Sequence, residues 1–419
     1  MNNRNRLTIY ILIGLVAGVV VGYLANVGMA TPGTFADYMS LISTMFLRLI
    51  KMIIAPLVFA TLVVGIAKMG DAKEVGRIGL KAMGWFVIAS VISLSLGLIL
   101  VNLFRPGDAL TAMVPAADAA SGIATTGLTL KEFITHLIPA SIVDGMAKNE
   151  ILQIVVFSLF FGTAAAAVGP RANPMIEAID GVAHVMLKVT GYVMNLAPIA
   201  VFAAVSGTIA SKGLGVLSTF GIFMAEFYFG IVLLWIVLTI AGFMFLGPRV
   251  FGLLRELREP TLLAFSTASS EAAFPKTLEG LERFGVRNRI AAFVLPVGYS
   301  FNLDGSMMYC TFAVVFIAQA YGIEMDLSTQ IVMMLVLMLT SKGMAGVPRA
   351  SLVVIAATLT QFNIPEAGLL LLLGIDHFLD MARSATNVIG NGIATAVVAK
   401  WENELTEPIK KDLATSPLP

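Results

Sequence analysis

The chain has 419 residues, of which 58% are hydrophobic and 13% are charged. Soluble domains carry about 25% charged residues, so this composition excludes an ordinary soluble domain and predicts an all-α polytopic membrane protein. The net charge of +1 argues against a nucleic acid or another polyanion as partner. The single cysteine, Cys310, excludes an internal disulfide, and with only three histidines beside it we expect no metal cluster and no cofactor.

Eight apolar stretches are candidate membrane spans. The first has the basic start and apolar run of a signal peptide, but the run is long and others follow, so we expect a span that stays. Several stretches exceed the roughly 20 residues that a perpendicular helix needs, which predicts tilted or bent helices. The eight ranges are 7–25, 38–67, 79–103, 134–168, 183–209, 217–246, 290–321 and 367–400.

Basic residues predict the orientation of these spans. They cluster near the N-terminus, at 68–81, at 249–258, at 276–289 and from Lys400 onward, and none lies between 290 and 341. Counting spans alternately places every cluster on one face, which the positive-inside rule makes cytoplasmic. We therefore expect a protein of the cell (inner) membrane with both termini in the cytoplasm. This orientation requires that two remaining apolar stretches do not each cross the membrane once.

Those two stretches, 259–281 and 328–364, are interrupted by small and polar residues with proline and glycine. Each half is too short to span, so each stretch predicts a re-entrant hairpin with a non-helical tip. Such backbone persists at membrane depth only beside protein or a water-filled cavity. Each predicted hairpin is followed by a span with a polar interruption, so the same pair of elements occurs twice along the chain. This order predicts an inverted repeat whose binding site lies between the two repeats, near the midplane of the membrane.

The last span carries the most informative pattern. At about 100° per residue, six of its polar side chains fall within one stripe roughly 100° wide. Three charges facing lipid would cost about 8–10 kcal/mol, so the stripe faces protein or water. A buried ion pair is the simpler interpretation, but the polar row continues beyond the charges and favours a binding site. The stripe consists of Asp376, Asp380, Arg383, Ser384, Asn387 and Asn391.

Two of these residues predict the substrate. Arg383 can bind a carboxylate through two parallel hydrogen bonds, and Asp380, one turn away, can accept from an ammonium. An α-amino acid with a side-chain carboxylate presents both groups. The pair therefore predicts an acidic amino acid as ligand.

In the seventh span, Asn302-Leu303-Asp304-Gly305 interrupts an apolar run. A break there frees backbone carbonyls, and Asp304 adds an anionic oxygen suited to a small cation. The alternative is a glycine kink beside a protonated aspartate.

The first hairpin tip contains Ser269, Ser270 and Glu271. The serine hydroxyls and neighbouring amides can receive a carboxylate, although serines also simply satisfy turns. Glu271 predicts a proton carrier, since protonation removes a charge that is costly to bury; an ion pair with an arginine is the alternative. The second tip, 343–350, is small and bendable and could act as a lid.

Four motifs in order resemble one known family, the dicarboxylate/amino acid:cation symporters, which include bacterial glutamate carriers and the excitatory amino-acid transporters. The motifs are STASSEAAFP (266–275), GYSFNLDGSMMY (298–309), SKGMAGVP (341–348) and DMARSATNVIGN (380–391). The resemblance covers nearly the whole chain.

The resemblance implies eight spans and two hairpins in a homotrimer that works as an elevator. It assigns spans one and two (1–77) and spans four and five (130–215) to a static scaffold. It assigns span three with an outer loop (78–129) and the region 216–404 to a moving transport domain, and leaves 405–419 as a cytoplasmic tail.

The resemblance also implies roles for individual residues. Ser270 and the backbone near Val347 would hold the α-carboxylate with help from Asn387, and Asp380 and Arg383 would take the amino group and the distal carboxylate. Ser306 and Ser384 would add hydroxyl contacts. The positions that hold sodium in sodium-coupled members are Gly298, Ser300, Asn302, Asp304, Asn387 and Asn391.

Departures from the family pattern concern the coupling ion. Asn391 stands where sodium-coupled relatives usually have an aspartate, and Phe86 and Ala89 stand where they have Tyr and Thr. Glu271 replaces a common serine, as in proton-coupled bacterial glutamate carriers. Cys310 stands where animal members carry their proton on a carboxylate, so the proton route must differ.

These observations predict a secondary transporter that imports glutamate or aspartate with protons, and not an enzyme. Arg349, at a lid position where a glycine is usual, either adds a carboxylate contact or changes the substrate range. A C4-dicarboxylate carrier and a sodium-coupled glutamate carrier remain alternatives within the family. An intramembrane protease using Asp304 and Asp380 is a remote alternative, because Arg383 would disturb a proton shared by two carboxylates.

Overall fold

The computed structural model describes residues 3–69, 72–108, 114–115, 138–213, 220–341, 350–373 and 375–407. Over these residues the chain is helical, and the only pairing of extended backbone is an isolated bridge between Val286 and Leu405. The predicted all-α fold class is confirmed. A helix satisfies its own backbone donors and acceptors, which is the requirement that lipid imposes on an apolar chain.

The first half of the described chain forms helices α1 to α7. The predicted span at 183–209 is wrong as a single helix, because the chain turns at Asn195 and Leu196 and Pro198 lies in the first turn of a new helix. Proline is tolerated there because the first-turn N–H groups have no helical partner. The helices are α1 (Asn3–Gly28), α2 (Pro32–Met69), α3 (Ala72–Phe104), α4 (Ile142–Ala147), α5 (Ile151–Val168), α6 (Asn173–Met194) and α7 (Ala197–Lys212).

The second half forms helices α8 to α16. The predicted break in the seventh span is confirmed, since one helix ends at Phe301 and the next begins at Asp304. The predicted last span at 367–400 is wrong as one helix, because it is divided before Asp376. The helices are α8 (Gly221–Leu246), α9 (Arg249–Thr267), α10 (Phe274–Phe284), α11 (Asn288–Phe301), α12 (Asp304–Ala320), α13 (Leu327–Thr340), α14 (Ala350–Gln361), α15 (Leu369–Leu373) and α16 (Asp376–Trp401).

Six helical stretches of the described residues are long and apolar enough to cross a membrane. Helix α16 has 26 residues, but it carries the charged part of the polar stripe. Helices α7, α13 and α14 are apolar but shorter. Several spans are therefore present, and the exact number of eight stays a prediction. The six ranges are 9–28, 32–67, 73–104, 151–194, 221–246 and 288–320.

The first predicted hairpin is a pair of packed helices, α9 and α10, joined by a tip at 268–273. Ala268 ends α9 in the left-handed region with φ of 49°, and a short 3-10 turn follows at Glu271–Ala273. Helix α9 begins at Arg249, ten residues before the predicted start at 259, and it contains Pro260. The second predicted tip, including Val347 and Arg349, lies outside the described residues.

The helices pack in two groups. Helix α2 packs against α5, α6 and α7, and α1 packs against α7. Helix α16 packs against α8, α9, α11 and α12, while α3 packs against α12. The groups meet where α2 and α5 contact α11 and where α7 contacts α9.

The segment after α16, residues 402–407, forms a C-terminal strap. Thr406 donates its N–H to the carbonyl of Gly285 at 2.8 Å, next to the bridge between Val286 and Leu405. Glu402 pairs with Arg77 and Lys81 of α3, each at 2.6 Å. The strap therefore joins the end of α16 to the starts of α3 and α11.

Candidate functional site

Arg383 is the centre of the candidate site. It is 1% exposed, and its Nη2 lies 3.0 Å from Asp376 Oδ1 and 3.0 Å from Asp380 Oδ1. The buried ion pair that was the simpler interpretation of the stripe is therefore present. The Nε and Nη1 atoms of Arg383, however, make no hydrogen bond to any described residue. A buried guanidinium with two unused donors can still bind a further anion.

The two carboxylates around Arg383 differ in exposure. The Asp376 side chain is 5% exposed, whereas that of Asp380 is 34% exposed. Asp376 is therefore placed as a permanent counter-ion of Arg383, and Asp380 is reachable from outside the packed core. The sequence pattern included Asp376 in the stripe but did not assign it this role.

Tyr309 of α12 completes the surroundings of Arg383. The guanidinium carbon lies 4.0 Å from the centre of the Tyr309 ring, within the range of a cation–π interaction. Tyr309 is fully buried, and its hydroxyl has no hydrogen-bond partner among the described residues. The ring restricts where the guanidinium can move. Sequence reasoning missed this contact, although Tyr309 ends one of the four motifs.

The break between α11 and α12 brings the two polar helices together. Asn387 of α16 accepts from the N–H of Gly305 at 2.9 Å and donates from Nδ2 to Ser306 Oγ at 3.3 Å. Gly305 fits because a Cβ there would lie 2.6 Å from the carbonyl oxygen of Arg383. The predicted substrate residues Ser306, Arg383 and Asn387 are thus brought together, and Ser384 is buried on the same helix.

Asp304 lies at the centre of a second polar cluster. It is fully buried, accepts from Ser93 Oγ at 3.2 Å and from Asn302 Nδ2 at 3.0 Å, and lies directly against Gly390. Asn302 Nδ2 also donates to Asn391 Oδ1 at 3.3 Å. The predicted cation residues Asn302, Asp304 and Asn391 are therefore in contact. Ser93, which sequence reasoning missed, adds a hydroxyl from α3.

Some features of this cluster favour cation binding and others oppose it. Ser300 Oγ and Asn302 Oδ1 accept no hydrogen bond from described residues, so two hard oxygens remain usable. The Asn302 amide, however, presents donors to Asp304 and Asn391, and the Phe86 ring lies against Gly298. The cluster therefore offers the Asp304 carboxylate and two free side-chain oxygens to a cation, beside amide donors and an aromatic ring that offer it none.

At the first hairpin tip, Ser269 Oγ accepts from the N–H of Ala272 at 3.2 Å, and Ala273 donates to the Ser270 carbonyl at 3.1 Å. With respect to described residues, these bonds stay within the tip and do not reach α16. The 3-10 turn that begins at Glu271 packs against α2. Glu271 is half-buried.

The geometry argues against paired catalytic aspartates. Asp304 is hydrogen-bonded to Ser93 and Asn302, while Asp380 is paired with Arg383. Each carboxylate has partners of its own, which disfavours a proton shared between the two as in an aspartyl dyad.

Comparison with known proteins places this geometry in context. A model of the sodium:dicarboxylate symporter family matches residues 7–401. A proton/sodium-glutamate symport protein from Geobacillus stearothermophilus is 40% identical over 95% of this chain and 94% of its own length. A C4-dicarboxylate transport protein from Paracidovorax citrulli is 40% identical, with 97% and 90% covered, and one from Bacillus subtilis is 39% identical, with 96% and 94% covered.

Proposed function

Because the chain belongs to the sodium:dicarboxylate symporter family, we propose that it imports glutamate or aspartate together with protons. The family consists of symporters, so the chain is a membrane transporter for a small molecule and not an enzyme. The relatives named for glutamate and for C4-dicarboxylates are equally similar to it, so identity alone does not choose the substrate.

The observation that carries the proposal is the unequal exposure of the two carboxylates beside Arg383. Asp376 neutralises the guanidinium from the buried side. Asp380 then remains for the substrate ammonium, and the unused Nε and Nη1 of Arg383 for its distal carboxylate. An acidic amino acid is complementary to this arrangement, with Ser270, Ser306, Ser384 and Asn387 and the backbone near Val347 as further contacts.

The charge of the site explains why a cation travels with the substrate. Arg383 with Asp376 and Asp380 sums to one negative charge, and glutamate adds another. Charge accumulated at membrane depth is costly unless it is neutralised. A co-transported cation supplies the neutralisation, so substrate and cation bind together.

A proton fits this role better than sodium. Glu271, next to Ser270 at the tip, gains or loses a proton near the substrate carboxylate. Asn391, Phe86 and Ala89 supply no anionic oxygen or hydroxyl, while Asn302 gives its amide donors to its neighbours. Residual sodium binding would use Ser300, Asn302 and Asp304, whose oxygens are the best cation ligands here.

The second candidate is C4-dicarboxylate import, which the names of several relatives favour. A dicarboxylate lacks the ammonium, so it would place two negative charges near Asp380 with no positive group to meet it. Competition by glutamate and by succinate against labelled aspartate uptake separates the two functions. We expect glutamate to compete at much lower concentration, and stronger competition by succinate would reverse the assignment.

The test of coupling is uptake of labelled glutamate into proteoliposomes under separately imposed proton and sodium gradients. A proton gradient alone is expected to drive accumulation, and uptake driven only by sodium would refute the proposal. Glu271→Gln should lose proton-driven accumulation more than exchange of internal for external glutamate. Glu324→Gln, an exposed carboxyl remote from the tip, is the matched control.

The mechanism that we propose is an elevator within a homotrimer. The two packing groups of the described residues support a division into a scaffold and a transport domain. We assign 1–77 and 130–215 to the scaffold, 78–129 and 216–404 to the transport domain and 405–419 to a tail, with both termini in the cytoplasm. The second tip, with Arg349, would close over bound substrate. The transport domain would then carry substrate and proton across while α2 and α7 stay fixed.

A further inference from the structure

A crevice lies on the side of α16 away from the site. It measures about 380 Å³ and is bounded by α8, α9 and α16. At about 100° per residue, its α16 residues Ala385 and Ile389 lie opposite Arg383 and Asn387. Its volume falls within the roughly 300–1,000 Å³ that is usual for ligand sites.

The crevice opens toward lipid. Val232, Ile236 and Ile240, on the same helix as the lining residues Trp235 and Thr239, are about half exposed, as expected of a membrane-facing surface. The walls are mostly apolar, with Leu254, Leu262 and Phe265 contributed by α9. Hydrocarbon can therefore enter from the membrane without crossing a polar barrier.

Two polar features make the crevice more than an apolar groove. Arg258 lines it, and Arg255, one turn earlier on α9, is exposed beside it. Farther along, the buried Oγ1 of Thr261 has no hydrogen-bond partner among the described residues. A buried hydroxyl without a partner is unfavourable, so an acceptor brought to this position by a ligand would be stabilised.

We propose that this crevice binds an anionic phospholipid. Its phosphate would lie at Arg255 and Arg258, its ester region at Thr261, and one acyl chain along Phe265 and Trp235. Basic pockets between membrane helices are sites for acidic lipid headgroups. In the orientation proposed above, the arginines lie on the cytoplasmic side, where a polybasic surface meets the inner leaflet.

The bound lipid would support the helix that carries the substrate residues. Trp235 donates from Nε1 to Thr386 Oγ1 at 2.8 Å, so the crevice wall is joined directly to α16 between Arg383 and Asn387. The proposal concerns lipid binding and does not depend on which substrate is carried.

Trp235 allows a direct test. In the variant W85F/W401F it is the only tryptophan, and phosphatidylglycerol with brominated acyl chains quenches its fluorescence on contact. In W85F/W401F, we expect brominated phosphatidylglycerol to quench the Trp235 fluorescence at a lower mole fraction of brominated lipid than brominated phosphatidylcholine does. Arg258→Gln should reduce this preference about fivefold, the equivalent of about 1 kcal/mol per arginine. Arg171→Gln, an exposed arginine outside the crevice, should leave it unchanged.

Thr261→Val distinguishes the contact with the ester region from the contact with the phosphate. It should weaken quenching by both lipids equally, so that the preference for phosphatidylglycerol over phosphatidylcholine stays the same. Native mass spectrometry provides a second test that needs no tryptophan substitutions. It compares the lipid retained by the unaltered chain with the lipid retained by its R255Q/R258Q variant. Equal quenching by both lipids, or an unchanged preference in R255Q/R258Q by either method, would overturn the proposal.

Discussion

At the scale of the residue, the site depends on two aspartates of the same helix that do different work. Asp376 and Asp380 are equally close to Arg383, but only Asp380 is substantially exposed. Removing one partner of a buried ion pair costs about 3–5 kcal/mol, whereas a partly exposed pair is worth less. Loss of Asp376 should therefore act on folding, and loss of Asp380 on recognition.

We expect Asp380→Asn to raise the KM for aspartate at least tenfold while the protein remains folded, because the substrate ammonium loses its anionic acceptor. Asp376→Asn should instead lower the thermal stability of the purified protein. Uptake kinetics and thermal unfolding of both variants check the division. If Asp380→Asn left the KM for aspartate unchanged, the assigned role of Asp380 would be wrong.

Much of this residue set was predictable, since Asp380, Arg383, Ser384 and Asn387 fall on one stripe by spacing alone. Tyr309 and Ser93 were not, because they reach the site from other helices. No periodicity within a helix reports which side chain of a distant helix will cover it. Only packing places a ring 4.0 Å from a guanidinium.

At the scale of the element, close approach of α12 to α16 depends on small residues. Gly390 lies mid-helix directly against the carboxylate of Asp304, so a Cβ at this position has no room. In an exposed helix, Gly→Ala is favourable by roughly 1 kcal/mol. The same change in this position should be unfavourable because the helices must separate.

Gly390→Ala is therefore expected to reduce the thermal stability and to abolish uptake. Gly181→Ala, in α6, is the matched control, since a Cβ there meets no atom within 4 Å and should be neutral or slightly stabilising. Thermal unfolding of the two variants measures the difference. Equal effects would show that the contact with Asp304 does not limit the packing of α16.

The C-terminal strap is the second element with a measurable property. Hydrogen bonding from Arg77 lowers the pKa of Glu402 below its ordinary value of 4.5, and Lys81 acts in the same direction. Because the folded pKa is the lower one, the stabilisation is complete above the unfolded pKa. It is lost as pH falls through the folded pKa.

Glu402→Gln should lower the free energy of unfolding by up to about 1 kcal/mol at neutral pH, as for a pair with one exposed partner. The difference from the unaltered chain should shrink in acid, as pH falls through the lowered folded pKa of Glu402 and its carboxylate takes up a proton. Unfolding followed at neutral and at acidic pH checks this, with the exposed Glu407→Gln as control. A difference that persisted in acid would assign the effect to something other than the charge.

At the scale of the whole molecule, the proposed elevator requires the two packing groups to move past each other. Gly65 of α2 and Arg289 of α11 lie on opposite sides of that boundary. A Cβ built on Gly65 would lie 3.8 Å from the Cβ of Arg289, a separation that suits a disulfide.

The double variant G65C/R289C is expected to crosslink on oxidation and to lose uptake, and reduction should restore it. The pair G145C/Q153C, whose Cβ atoms would lie 3.5 Å apart, joins α4 to α5, and α4 contacts α2 and α5 of the first group, so it should crosslink without loss of transport. Labelled-glutamate uptake before and after oxidation measures both. Full transport by oxidised G65C/R289C would exclude relative motion at this boundary.

The sequence by itself determined the class of molecule, the broken seventh span, the polar stripe and the family, because each depends on composition, helical period or short motifs. It misplaced the helix ends at 183–209 and at 367–400, where apolar character continues through a turn. Only the tertiary structure decided that Asp376 is buried and Asp380 accessible, and that Asn302 gives its donors to Asp304 and Asn391. Exposure and hydrogen-bond direction depend on which helices surround a residue, and that information is not local in the chain.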